Sequence, residues 1–166
     1  MRSDFLLQFQ SILKNGLPGE EVHLEVSPIG RIRSSEALKE VDQYKESAVG
    51  IYLFEREDNP QGILIQRPDY PGTHGGQISF PGGKREIQDI NLEYTARRES
   101  NEEVGIPIEN GLHLGKLTPV YIPVSNFLVE PHLFYLDERP ILQADPTEVK
   151  EIVLFNLFDI IDPNCL

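Results

Sequence analysis

The sequence predicts an α+β fold, a mixed β-sheet covered by helices. Three observations carry that reading: short runs of β-branched and aromatic residues outnumber helical segments, the two kinds alternate in mixed order, and the clearest helical segment stops at a glycine followed by a proline. The 166 residues fit one domain. A domain of that size buries enough surface to fold without staples.

Residues 4–14 read as a helix, because Phe5, Leu6, Phe9, Ile12 and Leu13 share one face and Asn15-Gly16 closes it. Asp4, Gln8 and Gln10 interrupt the apolar run, so it is neither a signal-peptide core nor a membrane span. Residues 17–46 are polar and turn-rich, an extension with no decided structure. The expected organisation is one domain over 1–166, with residues 1–46 as N-terminal helix and extension and 47–166 as the core. Residues 48–54 and 62–66 are short apolar runs on either side of Glu57-Asp58-Asn59-Pro60, which is hairpin-turn chemistry. A glycine- and proline-rich loop follows over 68–76, then a third strand over 77–80 running into a Pro81-Gly82-Gly83 turn. Residues 91–104 form a helix of good helix formers, stopped by Gly105 and Pro107. Residues 112–124, 127–136 and 148–154 read as strands, and 156–161 as the start of a last helix.

With 39% hydrophobic and 25% charged residues the composition is that of an ordinary soluble protein. The single cysteine, Cys165, excludes a disulfide framework within the chain, and nothing points to an oxidising compartment, so the cytoplasm is the default location. A net charge of −12 argues against nucleic acid and anionic membranes as partners, since both need a basic footprint. An anionic small-molecule ligand would need local positive charge from metal ions and a few well-placed arginines and lysines. The sequence is compatible with a homodimer and carries no signal for its oligomeric state.

The chemistry concentrates in Arg98-Glu99-Ser100-Asn101-Glu102-Glu103-Val104-Gly105-Ile106. On a helix, residues three and four apart share a face, so Glu99, Glu102 and Glu103 fall within roughly 100° of arc. Three carboxylates on so narrow a stripe repel one another unless a cation sits between them. Mg²⁺ and Mn²⁺ prefer such oxygen ligands and complete their shells with waters and phosphates. The plain alternative is a solvated acidic helix with an Arg98–Glu102 ion pair. The upstream context favours the metal. Ser79-Phe80-Pro81-Gly82-Gly83-Lys84 supplies glycines that allow positive φ and close approach of backbone to a ligand.

Written out, the segment is Gly83, five residues, Asp89, eight residues, then the acidic run. It closely resembles the Nudix box, a loop–helix–loop whose glutamates bind metals. Asp89 stands where the usual box has glutamate, and the spacing to Arg98 is one residue longer. Both departures, with acids at Glu86 and Asp89, resemble the coenzyme A diphosphatase branch of that family. A second signature of the branch matches upstream at Arg67, His74, Gly76, Phe80, Pro81, Gly82 and Gly83; Pro68 replaces a small residue, and Gly72 stands where an arginine is common. Together the signatures cover residues 64–106.

The resemblance implies a Nudix fold, a mixed sheet between helices, with Mg²⁺ or Mn²⁺ held by Glu99, Glu102, Glu103 and the Gly83 carbonyl. It implies cleavage of a coenzyme A-like nucleotide to 4′-phosphopantetheine and adenosine 3′,5′-bisphosphate. Arg67 is the candidate phosphate contact, the extra 3′-phosphate included, because a guanidinium binds phosphate oxygens bidentately; the alternative is a solvated strand-end arginine. Lys84 and Arg85 flank the glycines, and Lys84 is a second candidate for substrate binding. Arg98 reads as a clamp on Asp89 or Glu86. Glu148 is either an auxiliary acid near the metals or a charged residue opening a strand. His74 reads as a loop hydrogen-bonder. His23, His113 and His132 lack metal-ligand spacing. Relatives in the coenzyme A branch continue past the equivalent of Asp162-Pro163, so this chain is a natural short form or lacks a last strand and helix. The rival readings are another Nudix substrate (ADP-ribose, a dinucleoside polyphosphate or a nucleoside triphosphate), a silent nucleotide-sensing module, and an acidic interaction protein without an active site.

Overall fold

The computed structural model describes residues 4–27, 29–57, 59–69 and 75–160. Gly72 and His74, and the chain from residue 161 with Asp162, Pro163 and Cys165, lie outside them. Strand β1 (Lys45–Arg56) is the axis of the sheet. It runs parallel to β7 (Phe127–Tyr135), in register from Lys45 opposite Phe127 to Leu53 opposite Tyr135. Central parallel strands are covered on both faces and read as continuous apolar runs. Here Tyr52, Leu53 and Phe54 are buried in succession, as are Leu133, Phe134 and Tyr135.

The other edge of β1 is shared by two strands. Its C-terminal half makes a hairpin with β2 (Asn59–Gln66), from Arg56 opposite Asn59 to Leu53 opposite Gly62. Beyond Gly62 the two strands part. The segment bridging the gap contributes β3 (Ile78–Ser79), paired with the end of β2, and β4 (Gly82–Lys84), paired with β1 from Ser47 to Val49. The bridge is fixed at both ends: the Arg67 N–H donates to the Gln77 carbonyl at 2.9 Å, and the Gly50 N–H to the Pro81 carbonyl at 2.8 Å. The expected Pro81-Gly82-Gly83 turn is therefore a strand entry, and the splayed hairpin opens a cleft.

Two strand expectations need correction. Residues 112–124 form two strands, β5 (Leu112–Lys116) and β6 (Val120–Ile122), which pair one after the other along the far edge of β7. Pro119 has no N–H to continue a ladder, and the register shifts between His113 and Gly115. The last strand, β8 (Glu151–Asn156), pairs with β2 and begins later than expected. Asp145 accepts from the N–H and hydroxyl of Thr147 at 2.8 and 2.7 Å, so residues 145–149 are spent on a turn. The closing helix is short, α5 (Leu157–Ile160), against β2.

The N-terminus keeps its helix, α1 (Asp4–Lys14), which contacts β5. The extension is more ordered than its composition suggests. It holds α2 (Glu20–Glu25), α3 (Ser34–Ala37) and a 3₁₀ turn over Leu38–Glu40. Polar bonds set its position. Arg31 Nη2 donates to the Tyr121 carbonyl at 2.9 Å, and the Tyr121 N–H donates to Ser34 Oγ at 2.9 Å. Among the described residues no helix is long and apolar enough to cross a membrane.

Helix α4 (Leu92–Val104) lies on β1 and β4. Asn91 Oδ1 accepts from the Tyr94 N–H at 2.8 Å as its N-cap, and Gly105, at φ 75°, turns the chain out in the left-handed region that favours glycine. Buried Ala96 and Ser100 face the sheet at Gly50, where a Cβ would stand 2.7 Å from Ser100 Oγ. Small residues thus bring the helix close to the sheet. Tyr52 and Phe134 stack in the core with ring centroids 4.7 Å apart, and the Arg97 guanidinium covers Phe134 at 4.4 Å. Phe134→Ala is expected to cost about 3–5 kcal/mol, read as a lower urea midpoint at unchanged m-value.

Candidate active site

The acids of α4 meet β4 at one end of the cleft, whose volume is about 820 Å³. Glu103 is 1% exposed; its Oε2 accepts from the Gly82 N–H at 2.8 Å, and its Oε1 lies 3.8 Å from Arg67 Nη1. Glu99 lies one helical turn back, over Gly83. A Cβ on Gly83 would stand 2.5 Å from the Glu99 carboxylate, so glycine is required here for close approach. Glu148, on the turn before β8, completes a group: Glu99, Glu103 and Glu148 each offer an oxygen, all within 4.8 Å of one another. Burial and repulsion from Glu99 push the Glu103 carboxyl up to about 7 against the Gly82 N–H and Arg67, and burial raises Glu99.

The third acid of the sequence stripe is placed differently. Glu102 lines the cleft but is half exposed, and it accepts from Arg98 Nη1 at 2.8 Å. It stands outside the close group, while Glu148 stands inside it. Lys84 lines the cleft as an exposed side chain, and its carbonyl accepts from Arg98 Nη2 at 3.1 Å. Arg67 also lines the cleft, and its buried Nε has no hydrogen-bond partner among the described residues. Arg31, which the sequence reading left in an undecided extension, lines the same cleft. His113 and His132 lie elsewhere. They join each other at 3.1 Å and reach Glu93 and Glu130 in a partly buried polar chain.

Arg98 holds this arrangement together. Its Nε and Nη2 donate to the two oxygens of Asp89, each at 3.0 Å, while Nη1 serves Glu99 and Glu102 at 2.9 and 2.8 Å. Asp89 is buried and accepts in addition from the Glu86 N–H and the Thr95 hydroxyl, both at 2.9 Å. Burial alone would raise its carboxyl; Arg98, Glu86 and Thr95 outweigh burial and hold it below the ordinary carboxylate range.

Buried Glu103, half-buried Glu99 and exposed Glu148 thus gather carboxylate oxygens at the head of a cleft in a mixed sheet, a donor set of the kind hard divalent cations prefer. A model of the NUDIX domain matches residues 44–164, and the chain belongs to the Nudix family. It is 35% identical over 100 residues to an uncharacterized Nudix hydrolase NudL of Yersinia enterocolitica, a match covering 60% of this chain and 51% of that one. The chain spans about half the length of the curated relatives it matches. Its fold is similar to that of a C. elegans Ap4A hydrolase in a binary complex, with TM-score 0.58, 19% identity, and 70% and 83% of the two chains covered. It is equally similar to the NUDIX domain of Shewanella oneidensis NrtR complexed with ADP ribose, with TM-score 0.58, 16% identity, and 78% and 87% covered. At these identities the likeness is one of fold.

Asp89→Asn is expected to cost about 3 kcal/mol at neutral pH, because it removes the only fully buried of the guanidinium's acid partners and leaves its Nε and Nη2 facing a neutral amide. The sign with pH follows from the depressed carboxyl. Its contribution is complete above the unfolded value of about 3.9 and drains as pH falls through the lower folded value. Urea titrations of both proteins should therefore converge below pH about 4.

Proposed function

We propose that this chain is a metal-dependent Nudix diphosphatase acting on coenzyme A or an acyl-CoA, with 4′-phosphopantetheine (S-acylated when an acyl-CoA is cleaved) and adenosine 3′,5′-bisphosphate as products. The observation that carries the hydrolase reading is the convergence of Glu99, Glu103 and Glu148 beside Gly83 in a cleft that also holds Arg67. The donor set fits Mg²⁺ or Mn²⁺: every side-chain donor is a carboxylate oxygen, and mutual repulsion leaves the group short of positive charge. Glu99, Glu103, Glu148 and the Gly83 carbonyl would hold the ions, with Glu102 a further carboxylate at the rim. Bound there, they would neutralise the diphosphate and lower the pKa of the attacking water.

The chain's own groups do the rest. The Gly82 N–H and Arg67 position Glu103, and the Asp89 pair fixes Arg98 so that the acids of α4 stay aligned with β4. The unpartnered Nε of Arg67 offers a donor to phosphate oxygens. A glutamate of the group accepts the proton of the attacking water. Since Arg67 stands 3.8 Å from Glu103, its partner is the scissile diphosphate, and a distal 3′-phosphate needs another cation.

Support for coenzyme A itself is the run from Arg67 to Gly83, which resembles that branch; Gly72 departs from it. The second reading is a different nucleotide, as substrate or as sensed ligand, in keeping with the Ap4A and ADP-ribose associations of the two structural neighbours. A substrate panel of coenzyme A, 3′-dephospho-coenzyme A, ADP-ribose and dATP with Mg²⁺ and Mn²⁺ decides between them. Coenzyme A is expected to give the highest kcat/KM; if ADP-ribose wins, the coenzyme A reading falls and the diphosphatase reading stands. Glu102→Gln, Glu103→Gln and Glu148→Gln are each expected to lose about 10²–10⁴ in kcat with the circular dichroism spectrum unchanged. Near-native turnover of Glu103→Gln at saturating metal would sink the site assignment.

A further inference from the structure

We propose that Arg31, from the N-terminal extension, receives a second phosphate of the substrate at the end of the cleft remote from the acidic group. Placing that phosphate at the 3′ position of the adenosine rests on the coenzyme A reading above.

The sheet registers lay out the floor of the cleft. One row crosses four strands: Lys84 lies opposite Ser47, Ser47 opposite Val129, and Val129 opposite Val120. All four residues line the cleft. Three steps of about 4.8 Å separate β4 from β6 by about 14 Å. The acids stand over the β4 end of this row. Arg31 stands at the β6 end, bonded to the carbonyl of Tyr121, the residue after Val120. Between them the floor is apolar, with Val129, Val120, Ile122 and Phe127, which suits a nucleoside laid across it.

Charge sharpens the case. Arg33, two residues on, is tied to Glu21 and Glu36. Among the described residues Arg31 bonds to a neutral carbonyl and pairs with no carboxylate. In a chain of net charge −12, a cleft-lining guanidinium with no acid paired to it among the described residues is suited to an anion. Ser125, on the turn after β6, adds to the same cleft a buried hydroxyl without a partner among the described residues. A phosphate would supply the anion that Arg31 is placed to receive.

A purely structural role for Arg31, capping the edge of β6, makes a different prediction. Arg31→Gln keeps an amide donor for the Tyr121 carbonyl and removes the charge, and Arg31→Lys keeps the charge. The test measures calorimetric binding of adenosine 3′,5′-bisphosphate and of AMP, with Mg²⁺, to the full chain and both variants. The wild type should prefer the bisphosphate about tenfold or more, from a charge-assisted contact. Arg31→Gln should lose that preference at an unchanged thermal midpoint, and Arg31→Lys should keep most of it. No preference in the wild type, or a preference that survives Arg31→Gln, overturns the proposal. Coenzyme A turnover is measured in parallel. Its absence alongside a preference that Arg31→Gln abolishes defeats the coenzyme A reading and leaves the Arg31 contact standing.

Discussion

The pairing of Arg98 with Asp89 is the contact on which the geometry of the site rests. One guanidinium grips a buried carboxylate with Nε and Nη2, the Lys84 carbonyl with Nη2, and Glu99 and Glu102 with Nη1. The loop after β4 is thereby locked to the middle of α4. The pair is isolated from water on the Asp89 side, so its two charges are useful only together. A lysine at position 98 would supply a point charge and could not grip the planar fork on three sides. Hydrophobic contact places α4 on the sheet; this pair sets its rotation and height, and with them where the acids meet Gly83.

What was legible in the sequence was what local chemistry decides. The helix over 91–104 is found as Leu92–Val104, because its signals, the Asn91 cap and Gly105, act within one turn of the chain. The β1–β2 hairpin was legible for the same reason. The stripe of glutamates was visible as a pattern, yet its membership in space was not. Glu148 joins Glu99 and Glu103 through the pairing of β8 with β2, a contact distant in sequence, while Glu102 is drawn aside by Arg98. The extension was illegible because polar bonds from Arg31 and Ser34 to one backbone residue of β6 place it, and composition carries no trace of such bonds. The glycines of β4 show a subtler gap. The sequence signalled a turn, but the need is proximity: side chains at Gly82 and Gly83 would collide with β1 and with Glu99.

The same fold separates two tasks. One end of the cleft gathers carboxylates, and at the other Arg31 bonds to a carbonyl and to no carboxylate among the described residues. That polarity is built along the sheet, across β4, β1, β7 and β6, and so follows from strand order. Family resemblance speaks to the acidic end alone. The basic end comes from residues before position 44, where the match to the family begins.

The docking of the extension has a consequence of another kind. β6 is a short strand at the margin of the sheet, paired with β7 on one side only. Ser34 and Arg31 occupy the N–H and the carbonyl of Tyr121 on the open side. Bare strand margins recruit other chains and seed aggregates, and natural proteins blunt them with bound loops and charge. Arg31, Ser34 and helix α3 thus cover this margin. A shortened chain that keeps every residue of the family match would expose it and would be expected to self-associate in solution.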